Sequence, residues 1–329
     1  MIDVRDAVRG GELKPNRKLG QCFLTDKNIA ARIVEAAGLA PGDHVIEVGP
    51  GVCALTGLIC ERAGTVTAVE IDRRLTGVIE RSMSGYGNFS LINADILKVA
   101  LSSLLPPDMP RQTGALPPLG ALSPTGGALQ PGASSPPETH IPSIKLISNL
   151  PYFISTPVMT RLFEEFSFVG KAVLMMQKEV SDRMLAMPSA PNYCMLTVFA
   201  NYYGTCRRLF TVPPHCFIPQ PGVESAVMLF EARIPGANTA IGVSDEIRAS
   251  SRSMFFKTVR AAFASRRKTL ANGLIHAGLV TGRRQAQEIL ARANIGADAR
   301  GESLGVREYI NLSRELAMAS YEAKKVFVY

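Results

Sequence analysis

Short apolar runs alternate with helix-like segments between His44 and Met176, and this alternation constrains the fold more than any other feature of the sequence. Runs such as Val-Ile-Glu-Val, beginning at Val45, are nearly continuous in apolar residues, which is typical of parallel strands covered on both faces. The pattern predicts an α/β fold with a doubly wound, parallel sheet. The predicted strands are 44–48, 65–71, 90–93, 145–148 and 171–175, and the predicted helices are 54–62 and 157–166.

The chain of 329 residues is long enough for two domains. We expect an α/β domain at 1–242 and a small helical domain at 243–329, where apolar residues repeat every three to four positions. Ten Lys or Arg residues and a single acidic residue lie between Arg248 and Arg292, so the second domain is strongly basic. An irregular, proline-rich insertion is predicted at 104–143; a neutral loop expansion is the simpler interpretation, and a docking arm is the alternative.

Composition narrows the classes of function. A net charge of +8 favours an anionic partner such as nucleic acid, a phosphorylated ligand or acidic lipid. No apolar run reaches the roughly 18 to 20 residues needed to cross a bilayer. The six cysteines form no C-x-x-C pair and lack histidine partners at zinc-site spacing, so neither a metal site nor a disulfide framework is indicated. We expect a cytoplasmic protein without membrane or metal partners.

Two glycines and a carboxylate predict a nucleoside site. Gly49 and Gly51 close the first strand and open a helix, where backbone comes close to a ligand and helix N–H groups are unpaired. Glu70 ends the second strand, and a carboxylate there can accept both ribose hydroxyls. The same spacing matches a dinucleotide fingerprint, so these residues also fit a nicotinamide dehydrogenase. Asp95 follows the third strand. At that position it would serve either as a ligand of adenine or as a turn cap.

The tetrapeptide Asn149-Leu150-Pro151-Tyr152 follows the fourth strand. An exocyclic adenine amine is a poor nucleophile because its lone pair is delocalised into the ring. The Asn149 side-chain carbonyl and the Leu150 backbone carbonyl would accept its two N–H groups and favour a pyramidal nitrogen. Pro151 would stiffen the turn. Tyr152 offers an aromatic face on which a base stacks.

The sequence resembles the ribosomal RNA adenine N6-dimethyltransferases, the KsgA family, and by extension the Erm enzymes. The matching segments are 18–24, with Gly20-Gln-Cys22-Phe-Leu24; 47–56; 68–72; Asp95; 149–152; 177–180; 217–225, an F-x-P-x-P-x-V-x-S stretch; and 262–270. The resemblance implies a Rossmann-like, S-adenosylmethionine-dependent methyltransferase domain followed by a helical RNA-binding domain. It also implies dimethylation of two adjacent adenosines in a hairpin near the 3′ end of small-subunit rRNA, in the 30S subunit or its precursor. We expect the protein to be a monomer.

The resemblance also implies a role for individual positions. The S-adenosylmethionine site would consist of Cys22, Leu24, Gly49, Glu70, Asp95 and Asn149. The catalytic residues would be Asn149, Leu150, Pro151 and Tyr152. The substrate-binding residues would be Tyr152, Phe217 as the opposite stacking face, and Arg266, Arg267 and Lys268 on RNA phosphates.

Two cysteines depart from the family pattern. Cys22 replaces an Asn, which removes a side-chain donor but not the backbone contact, and Cys53 replaces a smaller residue that would crowd the cofactor if the thiol pointed inward. A catalytically silent nucleic-acid-binding relative therefore stays an alternative. An Erm-type enzyme acting on large-subunit rRNA is the other. The dehydrogenase accounts for neither the tetrapeptide nor the basic domain.

Overall fold

The predicted parallel strands are present in the computed structural model, which describes residues 13–100, 103–106, 143–165, 169–232, 245–265 and 268–326. The strands are β1 (Phe23–Leu24), β2 (His44–Val48), β3 (Thr65–Glu70), β4 (Phe89–Asn93), β5 (Ile144–Asn149), β6 (Val169–Gln177), β7 (Gly204–Val212), β8 (Phe217–Ile218) and β9 (Ser225–Ala232). The helices are α1 (Lys27–Ala37), α2 (Thr56–Cys60), α3 (Arg73–Met83), α4 (Ser155–Glu165), α5 (Lys178–Met184), α6 (Met195–Tyr203), α7 (Asp245–Phe263), α8 (Leu270–His276), α9 (Arg283–Arg292) and α10 (Val306–Val326).

Seven strands form one sheet in the order β4-β3-β2-β5-β6-β9-β7. The five strands from β4 to β6 run parallel, and β9 pairs antiparallel with β6. The chain builds the sheet outward from β2 to β4, then returns to the other side of β2 with β5. The strand order therefore reverses between β2 and β5, which is where open α/β sheets bind their ligands, beyond the carboxyl ends of the strands. The expectation of an α/β, Rossmann-like domain is confirmed.

Local sequence signals set the helix boundaries. Asp26 caps α1, because its carboxylate accepts hydrogen bonds from the backbone N–H groups of Asn28 and Ile29 at 2.9 and 3.1 Å. Gly38 ends the helix with a left-handed φ of 57°. Asp72 caps α3 in the same way. The two capped helices pack on the sheet, α1 against β6 and α3 against β4.

A buried polar cluster lies at the opposite edge, where β2 and β5 begin. Asp43 is fully buried and pairs with Lys145 at 2.7 Å. The same carboxylate accepts hydrogen bonds from the Ser143 backbone N–H and hydroxyl. The Nε2 atom of His44 lies 2.7 Å from the carbonyl oxygen of Leu104. Leu104 and Ser143 lie at the two ends of the predicted insertion, so both of its ends are fixed at this edge.

Aromatic contacts hold the helical part together. The rings of Tyr202 and Phe255 stack with centroids 3.9 Å apart, and Phe199 meets Phe256 edge to face at 4.8 Å. The Tyr193 hydroxyl donates a 2.7 Å hydrogen bond to the carbonyl of Leu304. Helix α6 therefore packs on α7, far along the chain.

The chain divides into two compact units, residues 1–178 with 207–238, and residues 179–206 with 239–329. The sequence pattern places 179–206 in the domain 1–242, whereas in the structure this segment groups with the helices from α7 onward. The aromatic contacts of α6 are the physical reason, and a composition shift near 243 does not reveal them. Most of the predicted insertion, residues 107–142, lies outside the described residues. Among the helices described, none is long and apolar enough to cross a membrane.

Candidate active site

A cavity lies at the carboxyl ends of β2, β3, β4 and β5, in the first unit. It encloses about 1090 Å³ of empty space, part of it open to solvent. Every predicted cofactor and catalytic residue lines it: Cys22, Leu24, Gly49, Glu70, Asp95, Asn149, Leu150, Pro151 and Tyr152.

The glycine turn after β2 forms one wall. Gly49 and Gly51 have φ values of 68° and 57°, a conformation that side chains disfavour. A Cβ atom at Gly51 would lie 3.3 Å from the ring of Phe23, and one at Gly49 would lie 3.6 Å from Pro151. Glycine at both positions therefore keeps backbone at the surface of the cavity.

Glu70 ends β3 with its carboxylate held in place. Its Oε1 accepts a 2.8 Å hydrogen bond from the backbone N–H of Asp72, and its Oε2 accepts one of 3.2 Å from Gly51. The side chain is buried, and this burial raises the pKa of the carboxyl. The bond from Gly51 joins the acidic residue to the glycine turn.

Asp95 is a turn cap, and it also lies where a cavity ligand can reach it. It lines the cavity, and its Oδ1 also accepts a 2.9 Å hydrogen bond from the backbone N–H of Leu97. Its Oδ2 lies 3.9 Å from the ammonium of Lys98. The turn cap fixes the carboxylate next to Ile96, which lines the same wall.

The tetrapeptide is anchored through both of its first residues. The Leu150 backbone N–H donates a 2.9 Å hydrogen bond to Met175 of β6. The side-chain amide nitrogen of Asn149 donates a 3.2 Å hydrogen bond to the backbone carbonyl of Cys22. With Nδ2 on Cys22, the amide has a fixed orientation, and its Oδ1 is the atom available as an acceptor.

Two aromatic residues follow at the mouth of the cavity. Tyr152 is half-buried, its hydroxyl lies 2.7 Å from that of Ser225, and burial raises the pKa of its phenol to about 12. The next residue, Phe153, is 51% exposed although it is a large apolar side chain. An aromatic ring at this edge, with half of its surface in solvent, suits base stacking.

The N-terminal segment covers the cavity from the other side. Residues Leu19 to Leu24 line it, and Leu24 and Phe23 in β1 pair with Phe217 and Ile218 in β8. The Gln21 amide nitrogen donates a 2.9 Å hydrogen bond to Asp72. The segment is therefore attached to both sides of the site.

Sequence reasoning missed Glu47. This carboxyl lies within β2, lines the cavity and is 2% exposed, and its Oε2 has no hydrogen-bond partner among the described residues. Burial raises its pKa to about 8. A polar group from a ligand would satisfy this oxygen, and S-adenosylmethionine has an ammonium group that donates hydrogen bonds. The signal in the sequence is the single carboxylate inside an apolar strand.

Other predicted positions lie away from the cavity. Phe217 is 1% exposed and packs in the core, so the arrangement does not support a stacking role for it. Cys53 has a left-handed φ of 64° and packs in a core cluster with Leu75 and Ile79, and its side chain does not line the cavity. Crowding by this thiol is therefore not found.

The predicted phosphate contacts are only partly described. Lys268 is exposed, and Arg266 and Arg267 lie outside the described residues. In the part of the chain that is described, no group of three or more His, Cys, Asp or Glu side chains is placed to hold a metal ion.

The cavity lies at the reversal point of a doubly wound sheet, with Glu70 at the end of one strand, Asp95 just after a second and the Asn-Leu-Pro-Tyr turn at the end of a third. This is the arrangement that the resemblance to S-adenosylmethionine-dependent methyltransferases of amino groups implies. Similar proteins narrow this class. The family model for ribosomal RNA adenine dimethylase matches residues 12–312.

Relatives align over nearly the whole chain. Ribosomal RNA small subunit methyltransferase A of Alkaliphilus oremlandii is 36% identical over 313 residues, which cover 95% of this chain and 96% of the relative. The protein of the same name from Pelotomaculum thermopropionicum is 38% identical over 311 residues, 94% of each chain.

Two solved structures share the fold. A dimethyladenosine transferase from Plasmodium falciparum aligns with a TM-score of 0.61 at 20% identity, covering 92% of this chain and 98% of that one. The 23S rRNA methyltransferase ErmE aligns with a TM-score of 0.55 at 23% identity, covering 89% and 99%.

The chain belongs to the ribosomal RNA adenine dimethylase family. It is an S-adenosylmethionine-dependent methyltransferase of rRNA adenine, and the resemblance seen in the sequence is confirmed.

Proposed function

We propose that this protein dimethylates N6 of two adjacent adenosines in a hairpin near the 3′ end of small-subunit rRNA. It acts as a monomer in the cytoplasm, on the 30S subunit or its precursor. The names of both relatives support the choice of subunit. The observation that carries the chemistry is the orientation of the Asn149 amide, whose nitrogen donates to the Cys22 carbonyl.

The fixed amide makes the target amine a nucleophile. The Asn149 Oδ1 and the Leu150 carbonyl oxygen accept the two N–H groups of adenine N6, which draws the lone pair out of conjugation with the ring. Because Nδ2 is already bonded to Cys22, the acceptor does not have to be oriented when the base arrives. Acceptors placed in advance favour the transition state over the bound substrate.

The cofactor would occupy the other part of the cavity. Glu70 would bind the ribose hydroxyls, Asp95 and Ile96 the adenine, and the glycine turn with Glu47 the methionine part. S-adenosylmethionine supplies the electrophilic methyl group when bound. Tyr152 would cover the target base and exclude water, with Phe153 beside it at the mouth.

The basic part of the chain would bind RNA phosphates. Arg266, Arg267 and Lys268 lie in a region of high positive charge, and phosphate contacts position an RNA without reading its sequence. Such contacts would place the hairpin so that a target adenine, once unstacked, reaches the tetrapeptide.

Transfer of labelled methyl from S-adenosylmethionine to purified, unmethylated small ribosomal subunits tests the proposal, with large subunits and free rRNA as controls. We expect N6,N6-dimethyladenosine, identified by mass, on small subunits only. Label on large subunits alone would favour an Erm-type activity, since the catalytic residues are shared. RNA binding without transfer would point to a catalytically silent relative.

A further inference from the structure

Ser225 forms a hydrogen bond with the tyrosine of the tetrapeptide. Its Oγ lies 2.7 Å from the phenolic oxygen of Tyr152, although 73 positions separate the two residues. Ser225 is fully buried, whereas Tyr152 is only half-buried. The bond therefore joins a side chain of the cavity to an atom inside the sheet.

The sheet holds Ser225 rigidly. It is the first residue of β9 and pairs with Gln177, the last residue of β6. Immediately before it, the Glu224 carbonyl accepts a 3.0 Å hydrogen bond from the Lys178 backbone N–H, and the two side chains form an ion pair at 2.6 Å. The start of β9 is thus fixed by backbone pairing with the end of β6 and by an ion pair with the next residue, Lys178.

Tyr152 has a less regular support. It begins a single turn of 3-10 helix, Tyr152–Ile154, directly after Pro151. This short turn holds the backbone of Tyr152. The hydrogen bond of its hydroxyl to Ser225 holds the other end of the side chain. A tyrosine ring has two rotatable side-chain bonds, so a partner for its hydroxyl removes most of the remaining freedom of the ring.

We propose that Ser225 is a positioning residue for methyl transfer, whose hydroxyl holds the Tyr152 ring in the orientation that receives the target base. The inference rests on the proposed function, because it needs a base stacked on Tyr152. Orientation before binding lowers the entropic cost of reaching the reactive geometry, so the effect belongs to turnover. Cofactor binding does not depend on it.

Steady-state kinetics on small ribosomal subunits test the inference with Ser225→Ala, Tyr152→Phe and the double variant. Each single variant removes one hydroxyl of the pair. We expect each to lower kcat by about five- to tenfold, with an unchanged Kd for S-adenosylmethionine measured by calorimetry. The double variant should be no slower than the slower single variant, because either change alone breaks the bond.

A matched control is Thr67→Val, which removes a hydroxyl from another hydroxyl pair of the same sheet, Thr67 with Ser90 at 3.2 Å. This variant should keep the wild-type kcat. Ser225→Thr retains a hydroxyl and should restore part of the activity lost in Ser225→Ala. If kcat losses multiply in the double variant, Ser225 acts independently of Tyr152 and the inference is wrong.

The outcomes separate this inference from the proposed function. An active wild type together with a fully active Ser225→Ala variant overturns only the role of Ser225. A wild type that transfers no methyl to small subunits overturns the proposed function and this inference with it. A Ser225→Ala variant that loses cofactor affinity in proportion to kcat would also overturn it, since the defect would then be a general loss of the site.

Discussion

The Asn149 side-chain amide donates to the Cys22 backbone carbonyl at 3.2 Å, joining the end of β5 to the segment that covers the cavity. The acceptor is a backbone atom. The replacement of asparagine by cysteine at position 22 therefore leaves this contact in place. The amide of Asn149 is oriented whatever side chain the covering segment has at that position.

Asn149→Ala removes the acceptor proposed for the target amine. Loss of one such group typically lowers kcat by about 10² to 10³, and we expect this range for methyl transfer. The Kd for S-adenosylmethionine, measured by calorimetry on the same preparation, should stay measurable and shows that the variant is folded. Unchanged turnover would refute the role of the amide oxygen.

Glu47→Gln should change how stability depends on pH. The carboxyl has a pKa of about 8 in the folded protein against an ordinary value of 4.5, so between these values the folded state holds a proton that the unfolded state has lost. The contribution of this group to stability is present below pH 4.5 and is lost as pH rises toward 8. The side chain of the Gln variant cannot ionise. The Tm of the wild type should therefore fall relative to that of the variant as pH rises from 4.5 to 8.

Thermal unfolding at several pH values from 4.5 to 9 measures this difference. Glu80→Gln, an exposed position on α3, is the matched control and should follow wild type at each pH. Parallel curves for wild type and Glu47→Gln would show that the buried carboxyl does not hold its proton.

Substitutions at Phe217 test whether this residue belongs to the core or stacks on the target base. Because its ring is 1% exposed, Phe217→Ala should lower the free energy of unfolding by about 3 to 5 kcal/mol, measured in urea. Phe217→Leu refills much of the space and should transfer methyl at close to the wild-type rate. A folded Leu variant with strongly reduced kcat would instead support the stacking role implied by the family resemblance.

Phe153 is exposed at the mouth of the cavity, and a base neighbouring the target in the RNA chain would stack on it. Stacking is worth about 1 to 3 kcal/mol per base, so Phe153→Ala should raise the KM for small subunits by about tenfold. Phe153→Tyr keeps the ring and should behave as wild type. Val223→Ala, at an apolar side chain of 48% exposure, controls for loss of exposed surface and should leave KM unaffected.

Replacing Arg266, Arg267 and Lys268 with glutamine should weaken RNA binding and flatten its dependence on salt, because fewer counterions are released on binding. Binding of small-subunit rRNA at several salt concentrations measures both quantities. A variant with wild-type affinity and salt dependence would place the RNA on another surface.

Much of the site follows from the sequence because its residues stand at strand ends. Parallel strands bring their carboxyl ends to one edge, so Gly49, Glu70 and Asn149 meet once the strands are recognised. Glu47 was missed because a carboxylate within a strand interrupts the apolar pattern without indicating a function. Only the structure shows that this carboxylate is buried and that its Oε2 has no hydrogen-bond partner among the described residues. The grouping of 179–206 with the helices depends on contacts between aromatic residues that are distant in sequence, which periodicity does not report.

Phe217 shows the limit of a motif match. The F-x-P-x-P-x-V-x-S segment contains both a core residue and a partner for the catalytic turn. The sequence alone does not tell which is which, because β8 pairs with β1, almost 200 positions away. The same segment supplies Ser225 to Tyr152, a contact that no local pattern predicts.

The flanks of the proline-rich insertion have a practical consequence. Leu104 and Ser143 are held at the amino edge of β2, and a strand of five residues separates that edge from the cavity by about 15 Å. Both anchor points therefore lie at the opposite end of β2 from the catalytic turn. A fluorophore or affinity tag attached at Leu105, next to the first anchor, would enter the chain away from the cavity and could serve as a reporter in the kinetic and RNA-binding experiments above.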